Sequence, residues 1–159
     1  MQIAARNGSI AMLELLSHNG ASVTTKGLKG DTLYQLAASN GHLTVVKWLL
    51  KNELVDVPDI TGNTAVHVAA RRSEPDILKF LDVSMGCDFR QRNSDGQTPY
   101  DCIPRFGDDS ERIEKCRDLV KSIVAEADRQ EKESKMAVIK RRASLTPVSN
   151  MPSITNESF

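Results

Sequence analysis

Short apolar segments separated by polar turns recur through most of the chain. In the stretch GDTLYQLAASNGHLTVVKWLLKN, residues 30–52, two apolar runs flank the polar turn Ser39-Asn40-Gly41-His42. The apolar residues at 45, 46, 49 and 50 in the second run fall on one face of a helix. Each predicted helix is too short to be stable alone in water. The pattern therefore predicts helix pairs that bury their apolar faces against neighbouring pairs.

The same pattern returns at a nearly constant interval. The segment GNTAVHVAARRSEPDILKFL at residues 62–81 aligns with GDTLYQLAASNGHLTVVKWL at residues 30–49, and another copy opens with GQTPYDC at residue 96. Upstream, IAARNGSIAMLELLSHNGASV matches from its alanine pair onward. Thr32 and Thr64 are 32 residues apart, and Ala5 lies 33 residues before Ala38. This interval indicates a repeat architecture whose copies stack upon one another.

The repeat resembles the ankyrin repeat, a helix pair preceded by a β-turn finger. The resemblance implies an all-α ankyrin-repeat solenoid over residues 1–125, with repeats at about 1–26, 27–58, 59–92 and 93–125. The matching residues are Gly30, Thr32, Ala37, Ala38, Gly41, His42, Val45, Val46, Leu49 and Leu50 in one copy, and Gly62, Thr64, His67, Ala69, Ala70, Ile77, Leu78 and Leu81 in the next.

The resemblance also implies several local features. The threonine after each finger caps the following helix through its hydroxyl group. Gly41 takes the left-handed conformation that ends the first helix of its pair. His67 bonds the backbone and the adjacent repeat, and has neither a catalytic nor a metal-binding role. In the same copy, Pro75 lies in the first turn of the second helix, where proline is tolerated.

The sequence from Asp108 onward predicts a long helix that closes the array. Asp108 and Glu111 have the spacing of a capping box. Residues 126–142 are predicted to be a charged helical extension, and residues 143–159, rich in Ser, Thr, Pro and Asn, a disordered tail. The apolar stripe predicts packing on the last repeat, with coiled-coil pairing as the alternative; its members are Ile113, Cys116, Val120, Ile123, Val124 and Ala127.

Composition and charge argue against nucleic-acid binding, although a local basic patch stays open. The 159 residues contain 21 Lys and Arg against 21 Asp and Glu, so the formal net charge is zero. Proteins that bind nucleic acids usually carry a basic excess, because phosphate neutralisation dominates their affinity. We therefore expect no nucleic-acid partner. No apolar run reaches the length of a membrane-spanning helix.

The sequence contains no recognisable arrangement for chemistry. Its three cysteines and three histidines do not have metal-ligand spacing, and neither a nucleophile–base pair nor a phosphate-binding loop is present. We therefore expect that the chain is not an enzyme and binds neither a cofactor nor a metal. Three widely spaced thiols are typical of a reducing compartment, so we expect a cytoplasmic location, with the nucleus as the alternative.

The resemblance implies a partner protein on the concave face, contacted by the finger tips and the exposed ends of the first helices. Arginine and aromatic residues are common interface anchors. Arg71, Arg72, Arg105 and Phe106 are therefore predicted to favour a partner with acidic and apolar character, with ordinary solvated surface as the alternative. The positions given by the register are Leu28, Lys29, Asp31, Ser39, Asn40, Ile60, Thr61, Asn63, Arg71, Arg72, Ser94, Asp95, Gln97, Arg105 and Phe106.

The motif KRRASL resembles the sites favoured by cyclic-AMP-dependent protein kinase and other basophilic kinases. Arg141 and Arg142 suit carboxylates in a kinase cleft, and Ser144 would accept the phosphate. Thr146, which precedes Pro147, is a proline-directed candidate. A short membrane-surface helix, MAVIKRR, is the alternative interpretation of this region.

The resemblance leaves two classes of function open. The first is an independent adaptor or scaffold that binds a protein on its concave face. The second is a regulatory segment of a larger enzyme or membrane-associated protein, with the chemistry located elsewhere in that protein. The chain opens inside the first helix of a repeat, without the preceding finger. We therefore expect the C-terminal end of a longer ankyrin array, with an intact start as the alternative, and this expectation favours the second class.

Overall fold

A computed structural model describes residues 1–27 and 30–144. The described residues form eight helices and no β-strand, so the fold class is all-α, as predicted. The chain divides into two compact units, residues 1–125 and residues 126–159, of which the second is described as far as Ser144. The helices are α1 (Gln2–Arg6), α2 (Ile10–His18), α3 (Leu33–Ser39), α4 (Leu43–Lys51), α5 (Ala65–Arg71), α6 (Pro75–Met85), α7 (Pro99–Cys102) and α8 (Ser110–Ser144).

Threonine side chains cap the first helix of the second and fourth repeats, as predicted. The Thr32 hydroxyl accepts from the Gln35 backbone N–H at 3.3 Å, while Gln35 Oε1 accepts from the Thr32 N–H at 2.8 Å. Thr98 and Asp101 form the same reciprocal pair at the start of α7. These bonds satisfy amide groups that a helix start leaves without partners. Pro75 is the first residue of α6, as expected.

The turn between the two helices of a repeat requires a left-handed residue. Gly8, Gly41 and Ser73 occupy this position in successive repeats, with φ of +71°, +74° and +54°. The prediction for Gly41 is confirmed. A Cβ at Gly8 would lie 2.7 Å from the His42 ring, so packing also requires glycine there. Ser73 adopts the same conformation at a steric cost that glycine avoids.

Inner and outer helices of the first unit form one continuous core. The inner helices α1, α3, α5 and α7 pack in sequence, and the outer helices α2, α4 and α6 lie behind them. Small alanines let neighbouring inner helices approach closely. Buried alanines occur in pairs on the first three inner helices: Ala4 and Ala5, Ala37 and Ala38, and Ala69 and Ala70.

Side chains on the inner helices also join successive repeats. Gln35 Nε2 donates to the Asn63 carbonyl at 2.6 Å. At the equivalent position of the next repeat, His67 Nε2 contacts the Gln97 carbonyl at 3.2 Å. Both side chains also bond the backbone at the start of their own helix. The structural role predicted for His67 is therefore confirmed.

Helix α8 closes the C-terminal side of the first unit. Ile113, Cys116 and Val120 are buried, and Ile123 and Val124 pack partly against the same core, which confirms the predicted stripe as far as Val124. Arg112 and Glu74 form an ion pair at 2.7 Å that joins α8 to the third repeat.

The predicted capping residue of α8 is wrong by one position. Asp109, and not Asp108, accepts from the Arg112 N–H at 3.1 Å through its side chain, and α8 begins at Ser110. Both aspartates are chemically suited to capping. The long turn between α7 and α8 decides which of them precedes the first helical residue, and only the tertiary structure specifies the course of that turn.

The second unit is described from Glu126 to Ser144, all within α8. Lys135 and Glu131 form an exposed ion pair at 2.8 Å with the spacing of neighbouring helical turns. Helix α8 includes Ala143 and Ser144, the first two residues of the predicted disordered tail. The rest of the predicted disordered tail, residues 145–159, lies outside the described residues.

Candidate partner-binding groove

A groove of about 530 Å³ crosses the inner helices α1, α3 and α5 of the first unit. Leu36 and Val68 contribute apolar surface to it. Its charged members are three arginines and two aspartates, so the side chains that surround it carry a net positive charge. The complete lining is Gln2, Arg6, Gly27, Asp31, Gln35, Leu36, Ser39, Asp59, Val68, Arg71 and Arg72.

The three arginines of the groove differ in how they are held. Arg71 Nη2 donates to Asn63 Oδ1 at 3.2 Å, which fixes the direction of its side chain. Arg6 and Arg72 are exposed, and within residues 1–27 and 30–144 their guanidinium groups have no hydrogen-bond or ion-pair partner. A guanidinium group offers several N–H donors in a planar fork that matches a carboxylate or a phosphate. Two such groups therefore remain available to an anionic ligand.

The two aspartates of the groove are not equivalent. Asp59 Oδ1 accepts from the Thr61 N–H and hydroxyl, both at 2.8 Å, and from the Asn63 N–H at 2.9 Å. Burial alone would raise the pKa of Asp59, but the hydrogen bonds from Thr61 and Asn63 outweigh it and hold the pKa below its ordinary value. The hydrogen bonds of Asp59 thus stabilise the β-turn finger to which it belongs. Asp31 has no such partners among the described residues.

His67 precedes the groove residue Val68 in the sequence, but its hydrogen bonds stabilise the fold. Its Nδ1 accepts from the Thr64 N–H at 3.3 Å, which leaves Nε2 as the donor to the Gln97 carbonyl. The pKa of His67 lies below its ordinary value, chiefly because burial disfavours the charged ring. Within the described part of the chain, no group of three or more His, Cys, Asp and Glu residues could hold a metal ion.

Comparison with known proteins gives the family. A family model described as ankyrin repeats, in three copies, matches residues 1–93, which is more than half of the chain. The chain belongs to the ankyrin repeat family. As an ankyrin array it is a protein-interaction module, which confirms the coarse prediction of function. No helix in residues 1–27 and 30–144 combines the length and the apolar character needed to cross a bilayer.

The ankyrin chain is similar to parts of several larger proteins. It is 34% identical over 122 residues to the transient receptor potential cation channel subfamily A member 1 homolog of Caenorhabditis elegans, covering 76% of this chain and 10% of that protein. It is 33% identical over 109 residues to diacylglycerol kinase iota of Mus musculus, which covers 66% of this chain and 10% of that protein. Protein phosphatase 1 regulatory subunit 27 of Mus musculus is 39% identical over 74 residues, which covers 45% of this chain and 47% of that protein. The chain thus spans about a tenth of the length of the channel and the kinase.

The ankyrin fold brings four of the predicted contact residues into the groove: Asp31, Ser39, Arg71 and Arg72. It removes Asn63 from the predicted set. Asn63 is buried, and its amide group bonds Asp59, Thr61, Arg71 and Asn93 instead of facing a partner. Its position beside the finger tip suggested exposure, but the next finger covers it.

Arg105 and Phe106 line a different hollow, of about 380 Å³, between the turn after α7 and α8. Gln97 is exposed, yet its side chain bonds Asn93 and Cys102 of its own repeat. Among the remaining predicted residues, Leu28, Lys29 and Thr146 and the side chain of Ser144 lie outside the described part. Asn40, Ile60, Thr61, Ser94 and Asp95 are exposed but do not line the groove.

Sequence reasoning missed Arg6. The register that pairs Ala5 with Ala38 also pairs Arg6 with Ser39, and continues to Arg71 in the next repeat. Arg6 therefore occupies the same helix-end position as a residue that was predicted. Extending the contact set to the first repeat would have found it.

Proposed function

We propose that this ankyrin module binds an acidic segment of another protein in the groove across α1, α3 and α5. The single observation that supports this is that one groove contains two guanidinium groups without a partner among the described residues, Arg6 and Arg72, together with the anchored Arg71. Charge-assisted bonds from arginine to a carboxylate are stronger than neutral ones. Leu36 and Val68 offer apolar contact beside these charges, which matches a segment of acidic and apolar residues.

The anchoring of Arg71 supports the same proposal. A side chain already held by Asn63 loses less conformational freedom when a ligand binds than a free one does. Arg71 thus provides a fixed positive charge in the groove, while Arg6 and Arg72 supply the adjustable contacts.

The test is peptide selection followed by affinity measurement. A random peptide library displayed on phage should yield Asp- and Glu-rich binders to the full chain. The Arg6→Ala/Arg72→Ala double variant should weaken the best peptide by about tenfold or more, because each charged hydrogen bond contributes on the order of 1.5 kcal/mol. Arg105→Ala, which removes a similar charge from the other hollow, is the matched control and should bind normally. If Arg105→Ala weakened peptide binding as much as the double variant does, the result would contradict a site in the groove across α1, α3 and α5.

A second candidate is a non-catalytic regulatory segment within a larger enzyme or membrane-associated protein. The observation that favours it is that the chain spans about a tenth of a channel and of a kinase. In this case the acidic segment belongs to another part of the same protein. Sequencing the full-length transcript tests it: an open reading frame limited to the ankyrin array and α8 would exclude this candidate.

We further propose that Ser144 is phosphorylated by a basophilic kinase, and Thr146 by a proline-directed one. The basic residues Lys140, Arg141 and Arg142 immediately before the serine support the first of these. Ser144 is the last described residue of α8, and the proposal requires that the helix opens locally there so that the segment takes the extended form that a kinase binds. For the location, we propose a reducing compartment, in keeping with three unpaired cysteines.

A further inference from the structure

The inner helices that form the groove lie side by side and run in the same direction. At their starts, Gln35 of α3 donates to the carbonyl of Asn63, which lies just ahead of α5, at 2.6 Å. At their ends, His42 Nε2, just beyond α3, contacts the carbonyl of Arg6, the last residue of α1, at 2.8 Å. Starts thus adjoin starts and ends adjoin ends. The groove is therefore bordered by fingers along one side and by helix ends along the other.

These two sides carry opposite charges. The finger wall contains the carboxylates of Asp31 and Asp59, which come ahead of α3 and α5. The helix-end wall contains the guanidinium groups of Arg6, the last residue of α1, and Arg72, the residue that follows α5. The 7 residues of α3 separate the two walls by about 10 Å, at about 1.5 Å per residue. A ligand in the groove therefore has negative charge on one side and positive charge on the other.

Asp31 is the available carboxylate of the finger wall. Asp59 accepts hydrogen bonds within its own finger, and that finger also has a cation beside it, because Arg71 Nη2 donates to Asn63 Oδ1. In the second repeat the counterpart of Arg71 is the neutral Ser39. Asp31 is half-buried, and its side chain has no hydrogen-bond or ion-pair partner in residues 1–27 and 30–144. Its charge is therefore open to a cationic group of a ligand.

The spacing of the inner helices sets the separation of these charges along the groove. Packed helices lie about 10 Å apart, so Arg6 and Arg72, on α1 and α5, are about two helix spacings apart. Asp31 lies ahead of α3, the helix between them. An extended chain advances about 3.3 Å per residue, so about three residues span one spacing. Because successive side chains of an extended chain point to opposite sides, residues i and i+6 face one wall and residue i+3 faces the other.

We infer that the groove selects an extended segment with the pattern acidic-x-x-basic-x-x-acidic, whose basic side chain pairs with Asp31. The two acidic side chains pair with Arg6 and Arg72 on the helix-end wall. This inference rests on the proposed acidic ligand and adds to it one charge of the opposite sign at a fixed position. Asp31 is then a specificity-determining residue, because a purely acidic segment would place a carboxylate against it and be repelled.

Two synthetic peptides of identical composition test the pattern. The peptide GDALKALDG has the inferred spacing of charges, whereas GDALDALKG exchanges its lysine with one aspartate. Fluorescence anisotropy of the labelled peptides with the full chain measures both affinities. The Kd of the first peptide should be about tenfold lower, because the second peptide places an aspartate against Asp31 and its lysine against an arginine.

A change at Asp31 shows whether this residue recognises the lysine. Asp31→Asn should weaken binding of GDALKALDG by about fivefold, because a charge-assisted pair is lost. The same variant should not weaken GDALLALDG, in which leucine replaces the lysine. Asp95→Asn removes an exposed carboxylate from a finger outside the groove, so it is the matched control and should bind both peptides normally. Both variants should keep the Tm of the parent protein.

The Arg6→Ala/Arg72→Ala variant separates a failure of this inference from a failure of the proposed function. If that variant binds both peptides more weakly than the parent, equal parent affinity for the two isomeric peptides would overturn the inference alone. Binding of GDALKALDG that does not respond to Asp31→Asn would do the same. A chain that binds neither peptide, or that binds both without regard to the two arginines, would overturn the inference and the proposed function together.

Discussion

The side-chain amide of Gln35 donates to the main-chain carbonyl of Asn63 at 2.6 Å, across the boundary between two repeats. The same amide group also caps its own helix by accepting from the Thr32 N–H. His67 makes the equivalent pair of contacts one repeat later, to Thr64 and to Gln97. Two chemically different side chains thus perform one task, because each presents an acceptor and a donor at suitable separation.

Replacing Gln35 should show how much this contact stabilises the array. Gln35→Ala removes one of the two donors to the Asn63 carbonyl, which keeps the Asp59 N–H, and also removes the acceptor of the Thr32 N–H. The loss of both bonds is expected to lower the free energy of unfolding by about 2 kcal/mol. Gln35→His should retain most of the stability, since histidine serves at the equivalent position. Urea unfolding of the three proteins measures both effects. A loss as large for histidine as for alanine would contradict the equivalence.

Ser73→Gly should stabilise the protein. Ser73 has a φ of +54° and its buried hydroxyl has no hydrogen-bond partner among the described residues. Glycine removes both the steric cost and the unpaired hydroxyl, and the gain should exceed the entropy that glycine adds to the unfolded chain, for a net increase of about 1 kcal/mol. Thermal melts provide the measurement. The reverse change, Gly41→Ser, should destabilise, because Gly41 has a φ of +74°, a conformation that strains any residue with a side chain.

Asp56 should make stability depend on pH in the mildly acidic range. Burial raises its pKa from 3.8 to about 6, one oxygen accepts from the Ala65 N–H at 2.7 Å, and the other has no partner among the described residues. The folded protein therefore binds this proton more tightly than the unfolded chain does. The resulting stabilisation is complete below pH 4 and is lost as the pH rises through 6.

The Asp56→Asn variant isolates this effect. Compared with the variant, the parent protein should lose on the order of 2 kcal/mol of stability between pH 4.5 and pH 7.5. Taking the difference also cancels His67, whose lowered pKa acts in the opposite direction below its ordinary value of 6.5. Urea unfolding at the two pH values provides the data. Parallel curves for the two proteins would show that Asp56 has an ordinary pKa.

Phosphorylation of Ser144 is testable on the intact protein. Incubation with the catalytic subunit of cyclic-AMP-dependent protein kinase should add one phosphate, and Ser144→Ala should abolish it. The Arg141→Ala/Arg142→Ala variant should slow the reaction by about tenfold or more, because the arginines supply the charge recognition. Intact-mass spectrometry measures the uptake. Phosphate gained equally by Ser144→Ala would exclude this serine.

The repeat register was readable because its signals are local. Thr32 caps a helix three residues away, Gly41 turns the chain within its own repeat, and the alanine pairs recur at a fixed interval. These features depend on short-range sterics and on periodicity, which a sequence displays directly. The same register would have identified Arg6 as a groove residue, had it been extended to the first repeat.

The tertiary structure decided which of the register positions are available to a partner. Asn63 is buried because the next finger covers it, and Arg105 is separated from Arg72 because the turn after α7 leads it to another hollow. The start of α8 at Ser110 depends on that same turn. Sequence alone determined that short helices must stack. Contacts between residues about thirty positions apart decide which polar groups form hydrogen bonds inside the stack and which stay exposed to a partner. Those contacts form only when the repeats pack.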